Sequence, residues 1–519
     1  MDFPGLLDDL VRKRGAIHTF EKGTAVRRSY QTLHDDMIAA HATLQSWGVT
    51  PGQRVGVFAD NCYHWLVFDL ALIKLGAISM AFTADFDGKL NDDLLDHYDI
   101  SLLLVDKSHA RQFPHLSARI ASIDGPNSHV QALQTAASGA PDEHDQLSLV
   151  FSSGSAGGLK GLVISRKGVT ATLPPLMDAL GVKARDGLLL FLPMSNFQQR
   201  YLCYGALEYD FDIMLTRYTE LFVALPLLKP TILLAPPIFF QMLHAEHLRL
   251  PAWKRTFRGL LGSALRALPR AALRRGVAQW AFGDFYRQFG VNIRILVTGM
   301  APIQRTIALF FERMQLPLSE AYGMVEAGVM TYRPGGSDHG DSVGRPLRDV
   351  RFAFEEDGEI IVNRDHPVAL RYFQCAAGEN ERTFIARGRI ATGDIGRTGR
   401  DGHLHLLGRK KEILITAGGT KIHPETVEEE LNNLPDVAHS VVFLGSNATQ
   451  LSCVIALNNM QDEDAKTRVR KLATSIKAVR TIGPLAGVVF AEQPFTRENG
   501  MLRPNMKIDR RRIVAQYAP

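Results

Sequence analysis

The chain has 519 residues, too many for one hydrophobic core, so two or more domains are expected. Its 46% hydrophobic and 22% charged residues are ordinary globular composition. A formal net charge of +5 is mild for this length and argues against nucleic acid as a partner. Cys62, Cys203, Cys375 and Cys453 have neither metal nor disulfide spacing and read as reduced thiols of a cytoplasmic protein.

The N-terminus is acidic and lacks an apolar h-region, so no signal peptide is visible. Residues 30–47 have helical spacing at Leu33, Met37, Ile38, Ala40 and Leu44, and Pro51-Gly52 makes a turn before a strand over 54–59. A helix closes over 71–76, and strands are expected at 102–105, 188–192, 231–234 and 293–297. Strands alternating with helices indicate α/β layers with largely parallel sheets.

Between apolar runs at 147–151 and 162–164 lies Ser-Ser-Gly-Ser-Ala-Gly-Gly-Leu-Lys-Gly, residues 152–161. This reads as strand, Gly/Ser loop, strand. Glycines let a backbone come close to a ligand, successive N–H groups cradle an anion, and Lys160 adds a full charge. A flexible surface loop is the competing reading.

The most apolar window, 221–240, holds Lys229 and prolines at 226, 230, 236 and 237. Those breaks predict a buried strand with flanking turns, not a membrane span. Residues 248–290 are basic, with Arg249, Lys254, Arg255, Arg258, Arg266, Arg270, Arg274, Arg275 and Arg287 against Asp284. Trp253, Phe257, Leu260, Leu261, Trp280, Phe282 and Phe285 interleave with them. One reading is an amphipathic surface meeting anionic lipid at the inner face of a membrane. The commoner one is a solvated helix pair whose apolar face packs on the core.

Past residue 330 short strands dominate, including 358–362 and a hairpin over 400–406 with a tight Asp-Gly turn. His403 and His405 would share one strand face, more often solvated than metal-binding. From Glu425 a helix carrying Val427 and Leu431, then strands at 440–444 and 451–457, suggest a small α+β module, with the junction near Gly408.

The loop fails the Gly-x-x-x-x-Gly-Lys-Ser/Thr pattern, because Lys160 precedes Gly161. It resembles the phosphate loop of the adenylate-forming superfamily, Thr/Ser-Ser-Gly-Thr-Thr-Gly-x-Pro-Lys-Gly, through Ser152, Ser153, Gly154, Ser155, Gly157, Lys160 and Gly161. Further signatures follow in order. Residues 322–326 resemble Tyr-Gly-x-Thr-Glu, residues 392–394 resemble Thr-Gly-Asp, and residues 408–413 with 418–425 resemble the family hinge and following loop. Residues 495–510 resemble the catalytic-lysine segment, so the resemblance covers about residues 25–515. Within the family, residues 192–200 and 498–507 resemble long-chain fatty acyl-CoA synthetases.

The resemblance implies a large domain, residues 1–407, built of two layered α/β subdomains and a small β-rich one, and a mobile α+β domain, residues 408–519. It implies ATP, Mg²⁺ and coenzyme A, a carboxylic acid (medium- or long-chain fatty by the branch likeness), and two half-reactions. A carboxylate attacks the α-phosphate of ATP, giving acyl-AMP and pyrophosphate, and a thiol then displaces AMP. Ser152, Ser153, Gly154, Ser155, Gly157 and Lys160 would hold the phosphates, and Glu326 with Ser155 the Mg²⁺. Tyr322 and Gly323 on one side, and Gly299, Met300 and Ala301 on the other, would line the adenine site. Asp394 would accept the ribose hydroxyls with Arg409 nearby, and Lys507 would bridge carboxylate and α-phosphate. Lys411 would be the hinge, and Gly418 and Gly419 would pass close to the pantetheine thiol.

The chain departs from the family at Ala156, Leu159, Val325, Asn196 and Arg166. Ala156 and Val325 each remove a hydroxyl, at a cost of about 1 kcal/mol per lost hydrogen bond, and Leu159, in place of proline, would loosen the loop. Two alternatives to an acyl-CoA ligase therefore stand beside it. One is an acyl-AMP ligase loading an acyl carrier protein; the other is a weakened nucleotide- or acyl-binding sensor or scaffold.

Overall fold

The computed structural model describes residues 2–83, 86, 89–113, 119–124, 145–153, 159–268, 271–301, 303–337, 342–417, 420–445, 450–482, 485–496, 498–503 and 508–517. For residues 152, 153, 159, 160, 271, 272 and 480–482 it describes the backbone alone.

Two large sheets form the first part of the chain. The seven-stranded one runs, edge to edge, Ala369–Phe373, Leu159–Ser165, Gln146–Ser153, Ile78–Ala81, Arg54–Phe58, Ile100–Val105 and Ile120–Ser122. From Gln146–Ser153 onward its neighbours are parallel. The nine-stranded sheet places Leu318–Met324, Ile295–Thr298, Ile232–Ala235, Gly187–Leu190, Asp212–Leu215 and Ala16–Glu21 side by side and parallel, with antiparallel hairpins at both edges. The expected α/β layers with largely parallel sheets are therefore present.

Local chemistry explains the helices between them. Ser29 caps Tyr30–Ser46 by accepting from the Thr32 N–H at 3.0 Å. Gly76 ends Tyr63–Leu75 with φ of 77°, a left-handed cap that suits glycine. That helix is apolar on nearly every face because, with Phe197–Glu208, it lies in the core shared by both sheets. Arg200 sits inside this core, fully buried. It donates to Asp69 on one helix, to the Ser79 hydroxyl at 2.9 Å, and to the Ser148 hydroxyl at 2.9 Å on the seven-stranded sheet.

A smaller antiparallel sheet comprises Arg351–Phe354, Glu359–Asn363, Arg389–Thr398 and Phe384–Ala386, with Leu404–Arg409 also paired to Arg389–Thr398. From residue 410 on, the chain builds a two-stranded ribbon and the sheet Val437–Leu444, Leu451–Leu457, Leu485–Phe490. This last sheet has apolar clusters of its own, one around Val427, Leu431 and Val469, the other around Phe443, Phe495 and Ile513. The second cluster also meets Ile238, and Gln304 donates to the Ala438 carbonyl at 2.9 Å, so the two parts of the chain touch here.

Four expectations need correction. Residues 221–240 are not one strand with turns but helix Leu221–Leu228, strand Ile232–Ala235 and the start of helix Pro237–Leu248, because Pro237 occupies the first helical turn, where no N–H is required. The Asp-Gly turn is longer than two residues: Thr398 pairs with Leu404, and the Gly399 N–H donates to the His403 carbonyl at 2.8 Å. His403 lies buried against the Ser342 hydroxyl at 3.0 Å, not on a solvated face, and no trio of His, Cys, Asp or Glu gathers among the described residues. In the basic segment, Phe282 and Phe285 do pack on the core, but Trp253, Phe257, Leu260 and Trp280 face solvent. Among the described residues no helix is long and apolar enough to cross a membrane.

Candidate active site

The strands on either side of the Gly/Ser loop pair antiparallel. Phe151 stands opposite Gly161, Ser152 opposite Lys160, and Ser153 opposite Leu159. Phe151 anchors its base among Phe82, Phe86 and Tyr98, with ring centroids 5.3, 4.9 and 5.1 Å away. Gly154, Ser155 and Gly157, with Ala156, lie outside the described residues. Leu159 is a ladder residue opposite Ser153, and leucine keeps the N–H that proline lacks.

Strand Ala369–Phe373 pairs with the other side of Leu159–Ser165, placing Tyr372 opposite Leu162. The Tyr372 hydroxyl donates to Glu326 Oε1 at 2.8 Å, and the Ala369 N–H donates to the Glu326 carbonyl at 2.9 Å. Arg364, almost wholly buried, holds the next turn. Its Nη1 donates to the carbonyls of Ala327 and Val329 at 2.6 and 3.0 Å, while Nε and Nη2 form a fork on Asp349. Glu326 is thus tied to the strand beside the one carrying Lys160. Tyr372 and Arg364 went unnoticed in the sequence, because each is a single polar residue in a stretch without a motif.

Asp394 is 7% exposed and lies directly across the ladder from Arg409. The Tyr322 hydroxyl donates to its Oδ2 at 2.6 Å, and Arg409 Nε meets Oδ1 at 3.1 Å. Burial, and then the Asp394 carboxylate, push the Tyr322 phenol well above its ordinary range, so it remains a donor. A carboxylate offers about four acceptor positions, which leaves room for two incoming hydroxyls. Three residues spread over 88 positions of sequence (322 to 409) therefore meet at one point.

Gly299 ends the strand Ile295–Thr298, and a Cβ there would stand 2.8 Å from the Ala321 carbonyl, a contact only glycine avoids. Met300 follows with φ of 71°, a left-handed backbone that an unbranched side chain rarely takes. Gly299 and Met300 line a cavity of about 20 Å³ with Leu192, Gln198, Leu234, Val297 and Ala321. Ala301 is exposed beside it. Gly323 sits at a register shift, where a Cβ would stand 2.7 Å from the Gly328 carbonyl.

The family model for the AMP-binding enzyme matches residues 10–366. The chain belongs to the AMP-binding enzymes. This adenylate-forming superfamily is the one its motifs resemble. The long-chain-fatty-acid–CoA ligase FadD15 of Mycobacterium bovis is 27% identical, covering 92% of this chain and 89% of that one. In fold, the chain matches the anthranilate CoA ligase AuaEII in complex with anthranoyl-AMP, with TM-score 0.78 at 16% identity over 100% and 97% of the two chains. It also matches the o-succinylbenzoate coenzyme A synthetase MenE of Bacillus subtilis in complex with ATP and magnesium, with TM-score 0.73 at 18% identity over 98% of each.

In this AMP-binding enzyme the strand ending at Arg409 leads to exposed Lys411. Lys410 is held by Asp357 and Glu359 at 2.7 and 2.6 Å. Gly418, Gly419 and Lys507 lie outside the described residues. The departures Asn196 and Arg166 have structural uses: Asn196 caps helix Phe197–Glu208 by accepting from the Gln198 N–H, and Arg166 Nε donates to the Gln146 carbonyl at 3.2 Å.

Beside the junction, Glu425 accepts from the Arg409 N–H at 3.2 Å, while its buried Oε2 has no partner among the described residues. Burial pushes its pKa up to about 7. Since the folded pKa is raised, its protonated form is favoured on folding, and that contribution is full below the ordinary carboxylate range and lost as pH rises to about 7. Glu425→Gln is therefore expected to raise the unfolding temperature at pH 8 and leave it nearly unchanged at pH 4.5. Scanning fluorimetry at both values checks this, and an equal shift at both would refute the assignment.

Proposed function

We propose that the protein is an ATP-dependent acid–thiol ligase that makes acyl-AMP and pyrophosphate, then transfers the acyl group to coenzyme A. The observation that carries this reading is the Asp394 carboxylate fixed between Tyr322 and Arg409, an acceptor pair suited to a ribose diol. Ser152, Ser153, Ser155, the loop amides and Lys160 take the phosphates, and Lys507 the developing charge between carboxylate and α-phosphate. Such chemistry is mainly positioning and charge neutralisation. In our reading residues 408–519 swing about Lys411 between half-reactions, bringing Gly418 and Gly419 to the thiol.

The donor set fits Mg²⁺. Glu326 supplies one hard carboxylate and no acidic cluster surrounds it among the described residues, which suits an ion that takes one or two carboxylates and fills its shell with phosphate oxygens and water. When bound, it would neutralise phosphate charge. Tyr372→Phe removes the hydroxyl that orients Glu326, worth about 1 kcal/mol. The Mg²⁺ concentration for half-maximal pyrophosphate release should rise about fivefold, with the saturated rate nearly kept. An unchanged Mg²⁺ titration would count against Glu326 as the ligand.

The acid we propose is aliphatic, in line with the apolar cavity beside Met300 and with the fatty-acid ligase named among the relatives. At about 20 Å³ the cavity holds little more than one water, so a chain enters only when flexible side chains such as Met300 and Gln198 move. Pyrophosphate release with a panel of acids, with and without coenzyme A, tests the whole reading. Release without a CoA thioester would indicate a carrier protein as acceptor, and no release with any acid would indicate a binding protein.

A further inference from the structure

We propose that the helix pair Ala252–Leu265 and Ala271–Ala281 is a docking surface for anionic phospholipid membranes, separate from the reaction site. The rotation of the first helix is pinned by Gly262, where a Cβ would stand 2.3 Å from the Arg313 carbonyl. Its Gly262–Leu265 side packs inward. Trp253, Phe257 and Leu260, spaced i, i+4 and i+7, therefore share the opposite face, and Trp253 and Leu260 are each 68% exposed. On the second helix Ala278 is buried, while Leu273 and Trp280, seven residues apart, share the outer face, with Trp280 86% exposed. A protein surface does not ordinarily leave two tryptophans and three further large apolar side chains in water on adjacent helices.

The charges around the stripe select the partner. Arg266 pairs with Glu312 at 2.8 Å, Arg287 pairs with Asp284, and Arg275 donates to the Asn292 carbonyl, so these serve the fold. Exposed Arg249, Lys254, Arg255 and Arg313 have no carboxylate partner among the described residues. Lys254 lies over the Trp253 ring at 5.5 Å. Arg255 and Arg313 line a groove of about 460 Å³ together with Thr256, Gly259 and Leu260. Guanidinium groups beside an exposed apolar ridge match a layer in which phosphates sit directly above acyl chains.

Tryptophan itself supplies the probe. Trp47 and Trp65 are buried, so a spectral change on lipid addition reports Trp253 and Trp280. The full chain is expected to sediment with vesicles containing about one-third phosphatidylglycerol, with a blue-shifted emission, and to be released by 0.5 M salt as the surface attraction is screened. Phosphatidylcholine vesicles should bind at least tenfold less. Trp253→Ser/Phe257→Ser/Trp280→Ser should lose the binding at unchanged unfolding temperature, and Lys254→Glu/Arg255→Glu should lose its dependence on anionic lipid. Equal binding to both vesicle types, or no blue shift, would overturn the proposal. So would concentration-dependent self-association in sedimentation equilibrium that the triple variant abolishes, with no vesicle binding, which would make a second copy the occupant.

Discussion

Replacing Arg200 by methionine is expected to destabilise the protein by about 3–5 kcal/mol, the usual cost of stripping one partner from a buried ion pair. The guanidinium is fully buried, 3.2 Å from Asp69, and shares the two serine hydroxyls that reach it from the seven-stranded sheet. It also faces the rings of Phe197 and Trp65 at 5.2 and 5.6 Å. Without it, among the described residues Asp69 keeps the Tyr204 hydroxyl at 2.6 Å as its one side-chain donor, and a buried carboxylate with one donor is poorly compensated. Arg200→Met/Asp69→Leu removes both charges and should recover most of the loss, since a well-packed apolar pair often replaces a buried ion pair at little cost. Urea unfolding followed by the fluorescence of buried Trp65 reads both. A single variant with an unmoved midpoint would show that the pair carries no weight.

That expectation alters the meaning of a motif. Residues 192–200 drew notice as a branch signature, yet Arg200 joins a helix to a sheet and Asn196 caps that helix. The sequence made the site legible wherever one short segment carries both the chemistry and the geometry. The hairpin around the Gly/Ser loop, the Gly76 cap and the helix at 424–432 are of this kind, because their signals are local glycines and apolar spacing. Partnerships between distant segments were not legible. Nothing near Glu326 announces Tyr372, and nothing near Asp394 announces that Tyr322 will donate to it. The helix over residues 252–265 shows the same limit. Its apolar spacing was visible, but which face turns inward depends on the Arg313 carbonyl, which comes from a distant helix.

Lys507→Ala is expected to slow acyl-AMP formation by about 10² to 10³, the usual loss when one preorganised donor to developing charge is removed. Thioester formation from supplied acyl-AMP should stay near the wild-type rate, because that step breaks a bond already made. The competing cation is Arg510, three residues on, and its surroundings argue against it. Arg510 Nη2 donates to Glu428 at 2.8 Å, Nη1 donates to the Val442 carbonyl at 3.1 Å, and Nε lies 3.4 Å from Glu412. Burial alone would lower its pKa, but the Glu428 hydrogen bond and charge outweigh that and hold it above the usual range. A guanidinium so engaged serves the C-terminal sheet, so Arg510→Ala should lower the unfolding temperature and slow both half-reactions together. Before it, Leu502 pairs with Ile508, and Arg503 is bonded to Asp509 at 3.2 Å. Pyrophosphate release and CoA thioester formation, measured on both variants, separate the two cations. A Lys507→Ala enzyme that still adenylates at the full rate would remove the lysine from the mechanism, and the charge on the α-phosphate would then fall to Lys160 and Arg409.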